Sequence, residues 1–397
     1  MTDPQLQRDL AEHYQWFHRH PERSYEETAT TAHLRHILGA AGIEILDAPT
    51  LATGLVAVIH GTAPAEGAIV NHVVAIRGDI DALPVTEDTA LAFPSENPGT
   101  MHACGHDFNM TSALGAALEL QRQATSFTGT VKVVFQPAEE VAANESTPTG
   151  AVYILNSGVL DNVETIFGVH DTPALEVSTF GISAGPVSGA VSKFQIQIQG
   201  RGSHAAHPNE GRSPIRVAAE LVSAIETVPG LDADPATPHA VTVTHVESGS
   251  TWNVIPDSAF IEGTARTVGS RARDVIHTRI ASIVTGLGSA YGVDATLRWE
   301  DGSPSVENDA DLVRLGREVA HGMGLTAAES VPSLSGEDFS YYQQRIPGLF
   351  IHAGVGAEAG ALHGPHFTPD ISSLADTARL LANVALRELD VLGTTAD

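Results

Sequence analysis

The stretch Val131-Lys132-Val133-Val134-Phe135-Gln136-Pro137-Ala138-Glu139-Glu140 reads in two halves. The first is a continuous apolar run, as in strands of a sheet covered on both faces. The second is a proline break followed by two adjacent carboxylates. Other short β-branched runs accompany it: Leu55–His60, His72–Arg77, Thr165–His170 and Leu349–His352. Between them lie segments of helical period, Leu6–His20, Glu26–Ala41, Phe108–Ala124, Asp309–Met323, Phe339–Gln344 and Ser372–Leu392. Helices alternating with buried strands predict an open, doubly wound α/β sheet. Asp107 is placed to cap the Phe108–Ala124 helix.

The texture changes near Gly185. Ser192–Gln199 alternates polar and apolar residues, so one face of that strand is wet. A helix (Ser213–Thr227), two strands (Ala240–Glu247, Ala259–Thr267), a helix (Arg271–Tyr291) and a strand (Asp294–Glu300) follow. The order β-α-β-β-α-β is ferredoxin-like. The predicted organisation is a catalytic α/β domain over 1–185 and 302–397, carrying an inserted α+β domain over 186–301.

A formal charge of −27 argues against nucleic acid and anionic membrane as partners. No apolar run approaches the ~18 residues of a membrane span. The first ten residues show no basic run ahead of an apolar core, so no signal peptide is expected. One cysteine among 397 residues excludes an intrachain disulfide and fits a reducing compartment. A cytoplasmic protein is expected.

That cysteine lies in Met101-His102-Ala103-Cys104-Gly105-His106-Asp107, where a thiol, an imidazole and a carboxylate fall within four positions. Taken alone, Cys104 and His106 read equally as core residues or as a metal site. The surroundings favour a site. Glu139 and Glu140 follow the Val131–Phe135 strand, His170 ends its own strand, and His363 follows the Leu349 strand. Asp79 and Asp81 come after the His72–Arg77 strand. In an open α/β sheet, groups beyond the carboxyl ends of the strands converge on one edge. Of two adjacent carboxylates, one can ligate a metal while the other serves as general base.

These stretches, together with Arg77–Pro84, Gly202–Ala206, Asn253–Asp257 and Leu362-His363, occur in an order that resembles the aminoacylase and carboxypeptidase family of two-metal peptidases. The resemblance is to its amidohydrolase branch, which includes hippurate, auxin-conjugate and N-acyl-amino-acid hydrolases. It implies a zinc-peptidase-like catalytic domain and a homodimer formed through the inserted domain. It further implies that Cys104, His106, Glu140, His170 and His363 hold two divalent ions. Zinc suits the thiolate; manganese, cobalt and nickel are alternatives. Glu139 is then the general base, taking a proton from water and returning it to the leaving amine. His204 is implied to reach the substrate carbonyl from a partner subunit. Asn253 and Arg266 are implied to hold the substrate carboxylate, Glu337 to line the site, and Asp79 and Asp81 to orient a ligand histidine. The implied reaction cleaves N-acyl-amino acids. A dipeptidase or glutamate-releasing carboxypeptidase on the same site, a cysteine amidase using Cys104 with His106, and a non-catalytic binding protein are the alternatives.

Two departures stand out. Asn109 occupies a position where the branch usually carries a second histidine. Val141 to Ser146 follow the glutamate pair in place of the usual two glycines.

Overall fold

A computed structural model describes residues 4–46, 48, 50–64, 71–141, 147–330 and 332–395. The segment at 142–146, which bears on the second departure, lies outside them. The chain divides into two compact units. The first comprises Met1–Gly185, Glu307–Ser330 and Tyr341–Asp397; the second comprises Pro186–Val306 and Val331–Ser340.

The first unit holds strands β1 (Glu44–Ile45), β2 (Leu55–His60), β3 (Val73–Asp79), β4 (Thr130–Gln136), β5 (Thr165–Thr172) and β6 (Thr179–Gly181). The second unit holds β7 (Ala190–Gln199), β8 (His239–Ser248), β9 (Ser258–Thr267) and β10 (Asp294–Asp301). The chain then returns to the first unit with β11 (Thr326–Ala328) and β12 (Gly348–Gly354). The large sheet runs β1-β2-β4-β3-β5-β12-β6-β11. Its central strands β4, β3, β5 and β12 are mutually parallel, while β2 and β6 pair antiparallel with their inner neighbours. It is therefore a mixed sheet whose four middle strands deliver their carboxyl ends to one edge. β3 and β4 are buried at every position, which explains why their apolar residues run without polar alternation, as in Val73–Ile76 and Val133–Phe135. One core joins these strands to the helices Pro4–Arg19, His106–Arg122 and Leu374–Thr395 through residues such as Leu10, Phe17, Leu114, Val133, Phe167 and Leu381.

The second unit has its own core, built from Phe194, Ile196, Ile198, Leu221, Ile261 and Ile280. Its sheet order β8-β9-β7-β10, antiparallel throughout, with helices Pro214–Asp232 and Ser270–Tyr291, is the ferredoxin-like arrangement. Its limits differ from those expected. Residues 302–306 and 331–340 group with it because their backbones bond to the strand entering it: Gly302 N–H to the Val191 carbonyl (2.8 Å), Val187 N–H to Val306 (2.9 Å) and Gly189 N–H to Ser335 (2.9 Å).

Asp107 is not a helix cap. Gly105, in the left-handed conformation, occupies the N-cap position, and Asp107 sits inside the first turn. Its carboxylate instead meets the buried His18 ring, Oδ2 lying 2.6 Å from Nδ1, while Glu87 Oε1 approaches Nε2 at 3.4 Å. Burial works against the charged ring, but the two carboxylates prevail and raise the His18 pKa to about 9. A histidine raised in the folded state contributes stability that is complete below its unfolded value of about 6.5 and is lost as pH climbs through 9. His18→Asn is therefore expected to cost about 3 kcal/mol near pH 6. The deficit should shrink as pH passes 9, read by urea unfolding at both ends of that window. A pH-independent deficit would refute the ion-pair origin.

Candidate metal centre

Four sequence segments reach the carboxyl edge of the central strands. β3 ends at Asp79 and continues to Asp81. β4 leads through Pro137 to Glu139 and Glu140. β5 carries His170 two residues before its end, and the loop after β12 carries His363. Cys104 and His106 lie where the chain enters the helix His106–Arg122. Gly105 between them is obligatory: at φ 75° a Cβ would stand 2.0 Å from Asp171 Oδ1.

The donor atoms converge. Cys104 Sγ is 3.6 Å from His170 Nε2 and 3.2 Å from His363 Nε2. Glu140 Oε1 is 3.3 Å from His363 Nε2 and 3.9 Å from His106 Nε2. Within 4.8 Å fall the sets Cys104–His106–His170, Cys104–Glu140–His363 and His106–Glu139–Glu140. Cys104 belongs to two of these sets and Glu140 to two, a pattern suited to a pair of ions.

The ring orientations suit the same purpose. His106 Nδ1–H donates to the Asp81 carbonyl at 2.9 Å, and His170 Nδ1–H donates to the Asp171 carbonyl at 2.7 Å. Each bond fixes the tautomer and leaves the Nε2 lone pair facing the cluster. His106 Nε2 and Glu140 Oε1 are buried without a hydrogen-bond partner among the described residues. Buried polar atoms are rarely left so, and a cation between them accounts for both. One thiol, three imidazoles and a carboxylate, with two orphaned donor atoms, fit divalent metal.

Asp79 and Asp81 are wholly buried and hold this frame. Burial opposes the Asp81 charge, yet His106, Ser24 and the Glu140 N–H hold its pKa at about 2. Its Oδ1 accepts from Glu139 N–H and its Oδ2 from Glu140 N–H, both at 3.0 Å, and Ser24 Oγ donates at 2.6 Å. Asp79 is likewise kept ionised against burial by Arg77, whose guanidinium contacts it directly. Two of the four described non-glycine residues with positive φ belong to this site: Ala138 (53°), immediately before Glu139, and His363 (63°). Such conformations cost roughly 1–2 kcal/mol each and persist where surrounding bonds impose them. Ala138 N–H is tied to the buried Glu27 Oε1 (2.8 Å), and His363 N–H to the Ala103 carbonyl (2.7 Å).

Asn109 has a positive role. Its Nδ2 donates to Asp79 Oδ1 at 2.9 Å and its Oδ1 accepts from Asp171 N–H at 3.0 Å. It ties β3 to β5 beneath His106 and His170. Three positions after His106 on one helix, it faces the same side, so its place was readable even though its role was not. No local spacing in the sequence marks Ser24, Glu27 or Asp171 as part of this site.

The remaining candidates lie in the second unit. The pairing of His204 with Val254 brings His204 beside Asn253, whose carbonyl accepts from Ala205 N–H at 3.1 Å. His204 is exposed, its Nδ1 accepting from Ala206 N–H at 3.0 Å. Arg266 on β9 is half-buried with no ion pair to a carboxylate among the described residues. Glu337 is buried, its Oε1 accepting from Phe339 N–H at 2.9 Å.

The chain resembles known proteins over most of its length. The chain is 40% identical over 376 residues to an N-acetylcysteine deacetylase of Bacillus subtilis, covering 94% of this chain and 95% of that one. It is 35% identical to an IAA-amino acid hydrolase of Arabidopsis thaliana, covering 94% and 84%. Among solved structures, a Bacillus subtilis protein described as a dinuclear metal binding peptidase superposes with a TM-score of 0.87. That pair shares 37% identity over 98% of this chain and 99% of the other. Residues 75–387 match the model of peptidase family M20/M25/M40, and the chain belongs to that family of hydrolases acting on amide bonds.

Proposed function

We propose that this enzyme is a metal-dependent amidohydrolase that splits N-acyl-amino acids into a carboxylic acid and a free amino acid. The carrying observation is the cluster at the sheet edge: five donor atoms converge, two of them orphaned, with a further carboxylate, Glu139, beside them. Cys104, His106, Glu140, His170 and His363 would hold two divalent ions. When bound, such ions polarise a carbonyl and acidify water. Glu139 takes the proton of the attacking water and returns it to the leaving nitrogen. Asp81 holds the Glu139–Glu140 backbone in register with His106, so base and ligand move as one piece. His204, acting from a partner subunit, would donate to the developing oxyanion. Asn253 and Arg266 would bind the substrate carboxylate; the guanidinium fork, lacking a carboxylate of its own among the described residues, suits that task. Glu337 is the remaining candidate for the substrate side.

A cysteine amidase is disfavoured, because a nucleophilic cysteine needs a depressed pKa and burial pushes the Cys104 thiol well up. The names of the deacetylase and IAA-amino acid hydrolase relatives support an acyl-amino-acid substrate. The test is a panel on metal-analysed protein: acetyl-, benzoyl- and long-chain acyl-amino acids against dipeptides. Acyl-amino acids are expected to be turned over fastest; a preference for dipeptides would favour the carboxypeptidase reading. Chelation to the metal-free state is expected to abolish turnover, and activity that survived it would sink the metal mechanism.

A further inference from the structure

Within the first unit, at the end of the sheet opposite the metal centre, lies a cavity of about 350 Å³. Its floor is the start of β5 at Thr165 and the residue before β12, Pro347; its sides are the helices Ala310–Gly322 and Leu374–Thr395. His170 is five residues further along β5, so cavity and metal centre are separated by roughly 16 Å of strand. The volume lies within the range of small-molecule sites.

Glu388 lines this cavity and is only 6% exposed. Among the described residues it has no hydrogen-bond or ion-pair partner. Burial and the carboxylates Asp309, Glu164 and Asp311 push its pKa up, while Arg314 and Arg387 line the same cavity. The neighbouring carboxylates are each engaged. Asp309 accepts from Asp311 N–H (2.9 Å) and Leu312 N–H (3.1 Å), capping its helix. Asp311 and Glu318 pair with Arg314 at 3.3 and 3.5 Å, and Glu164 pairs with His72 at 3.0 Å. Glu388 is thus a largely buried carboxylate on the cavity wall, without a hydrogen-bonded or ion-paired partner among the described residues, and a group so buried gains from a counter-ion.

The walls choose between cations. Leu312, Leu315, Pro347 and Val391 give the cavity apolar surface. Among the described residues no set of three metal-donor atoms converges here. An inorganic divalent ion is therefore a poor fit, and a cation with an aliphatic body is a good one. We propose that this cavity binds a small organic ammonium ion, with Glu388 as its counter-ion. Arg387, exposed at the rim and without an ion pair among the described residues, is placed to take a carboxylate if the ligand is a free amino acid.

The test is isothermal titration of the full, metal-loaded chain with n-butylammonium chloride and, separately, L-leucine, against sodium chloride at equal ionic strength. Saturable one-to-one binding is expected, weakened by about tenfold or more in Glu388→Gln, with hydrolysis by that variant unchanged. Tighter binding of leucine that falls in Arg387→Ala assigns the cavity to free amino acids; tighter binding of butylammonium assigns it to simple amines. Equal affinity in wild type and Glu388→Gln, or no saturable heat in wild type, overturns the proposal. Should Glu388→Gln not fold, the wild-type melting temperature decides. A rise with butylammonium beyond that with sodium chloride supports the site; an equal rise refutes it. None of these readings depends on the enzyme's substrate being correctly identified.

Discussion

Glu139→Gln is expected to keep its metal content while losing roughly 10²–10⁴-fold in turnover. The substitution leaves the backbone N–H that bonds to Asp81 Oδ1 at 3.0 Å in place. It also leaves the five proposed ligands untouched. What it removes is a basic oxygen within 4.8 Å of the His106 and Glu140 donor atoms, beside the proposed metal centre. An amide of the same shape cannot accept that proton, nor deliver one to the leaving nitrogen. Metal analysis and steady-state kinetics on the same preparation separate the outcomes. Full metal with a collapsed kcat supports the general base. Near-normal turnover removes Glu139 from the chemistry. Lost metal would show Glu139 to be a ligand, exchanging roles with Glu140.

The sheet and the candidate donor residues are legible because each rests on a local pattern. β4 is buried at every position, and its sequence, apolar through Val133–Phe135, shows no in-out alternation for that reason. The alternation of Ser192–Gln199 survives as alternating burial along β7. The short strands β6 and β11, three residues each, were not legible, because three residues hold no period. His170 was read as the last residue of its strand and lies two short of the end, since Asp171 and Thr172 continue the pairing with β12. Asp107 shows a different limit. Its sequence position suits a cap, but His18, 89 residues away, claims the carboxylate. Long-range partners of this kind leave no mark on spacing. The same holds for Glu27, whose bond to Ala138 supports the turn before Glu139 and Glu140. Candidate donor residues follow from type and placement; residues that orient them become visible only once the strands are assembled.

Asp81 is the clearest of those orienting residues, and Asp81→Asn is expected to do more damage than the loss of one charge suggests. The carboxylate serves two backbone N–H groups and the Ser24 hydroxyl, and lies 3.3 Å from His106 Nδ1. Held at a pKa of about 2, it is an acceptor on both oxygens throughout the working pH range. An asparagine offers one acceptor oxygen; its NH₂ would face an N–H of Glu139 or Glu140. Hydrogen bonds to a charged group contribute roughly 1.5–3 kcal/mol each, so the loop bearing both glutamates is expected to shift. Metal affinity should fall about 10–100-fold, as for other groups that orient ligands. A displacement near 1 Å costs on the order of 10²-fold in rate, so kcat should stay low even at saturating metal. Asp79→Asn supplies the contrast. Asp79 contacts Arg77 and Asn109, and it makes no hydrogen bond to the Glu139–Glu140 backbone, whose N–H groups both go to Asp81. Added metal should therefore restore most of its turnover. Metal titrations followed by kcat at saturation read both variants. Equal rescue of the two by metal would show that Asp81 acts only through His106, and that the glutamate pair keeps its position without it.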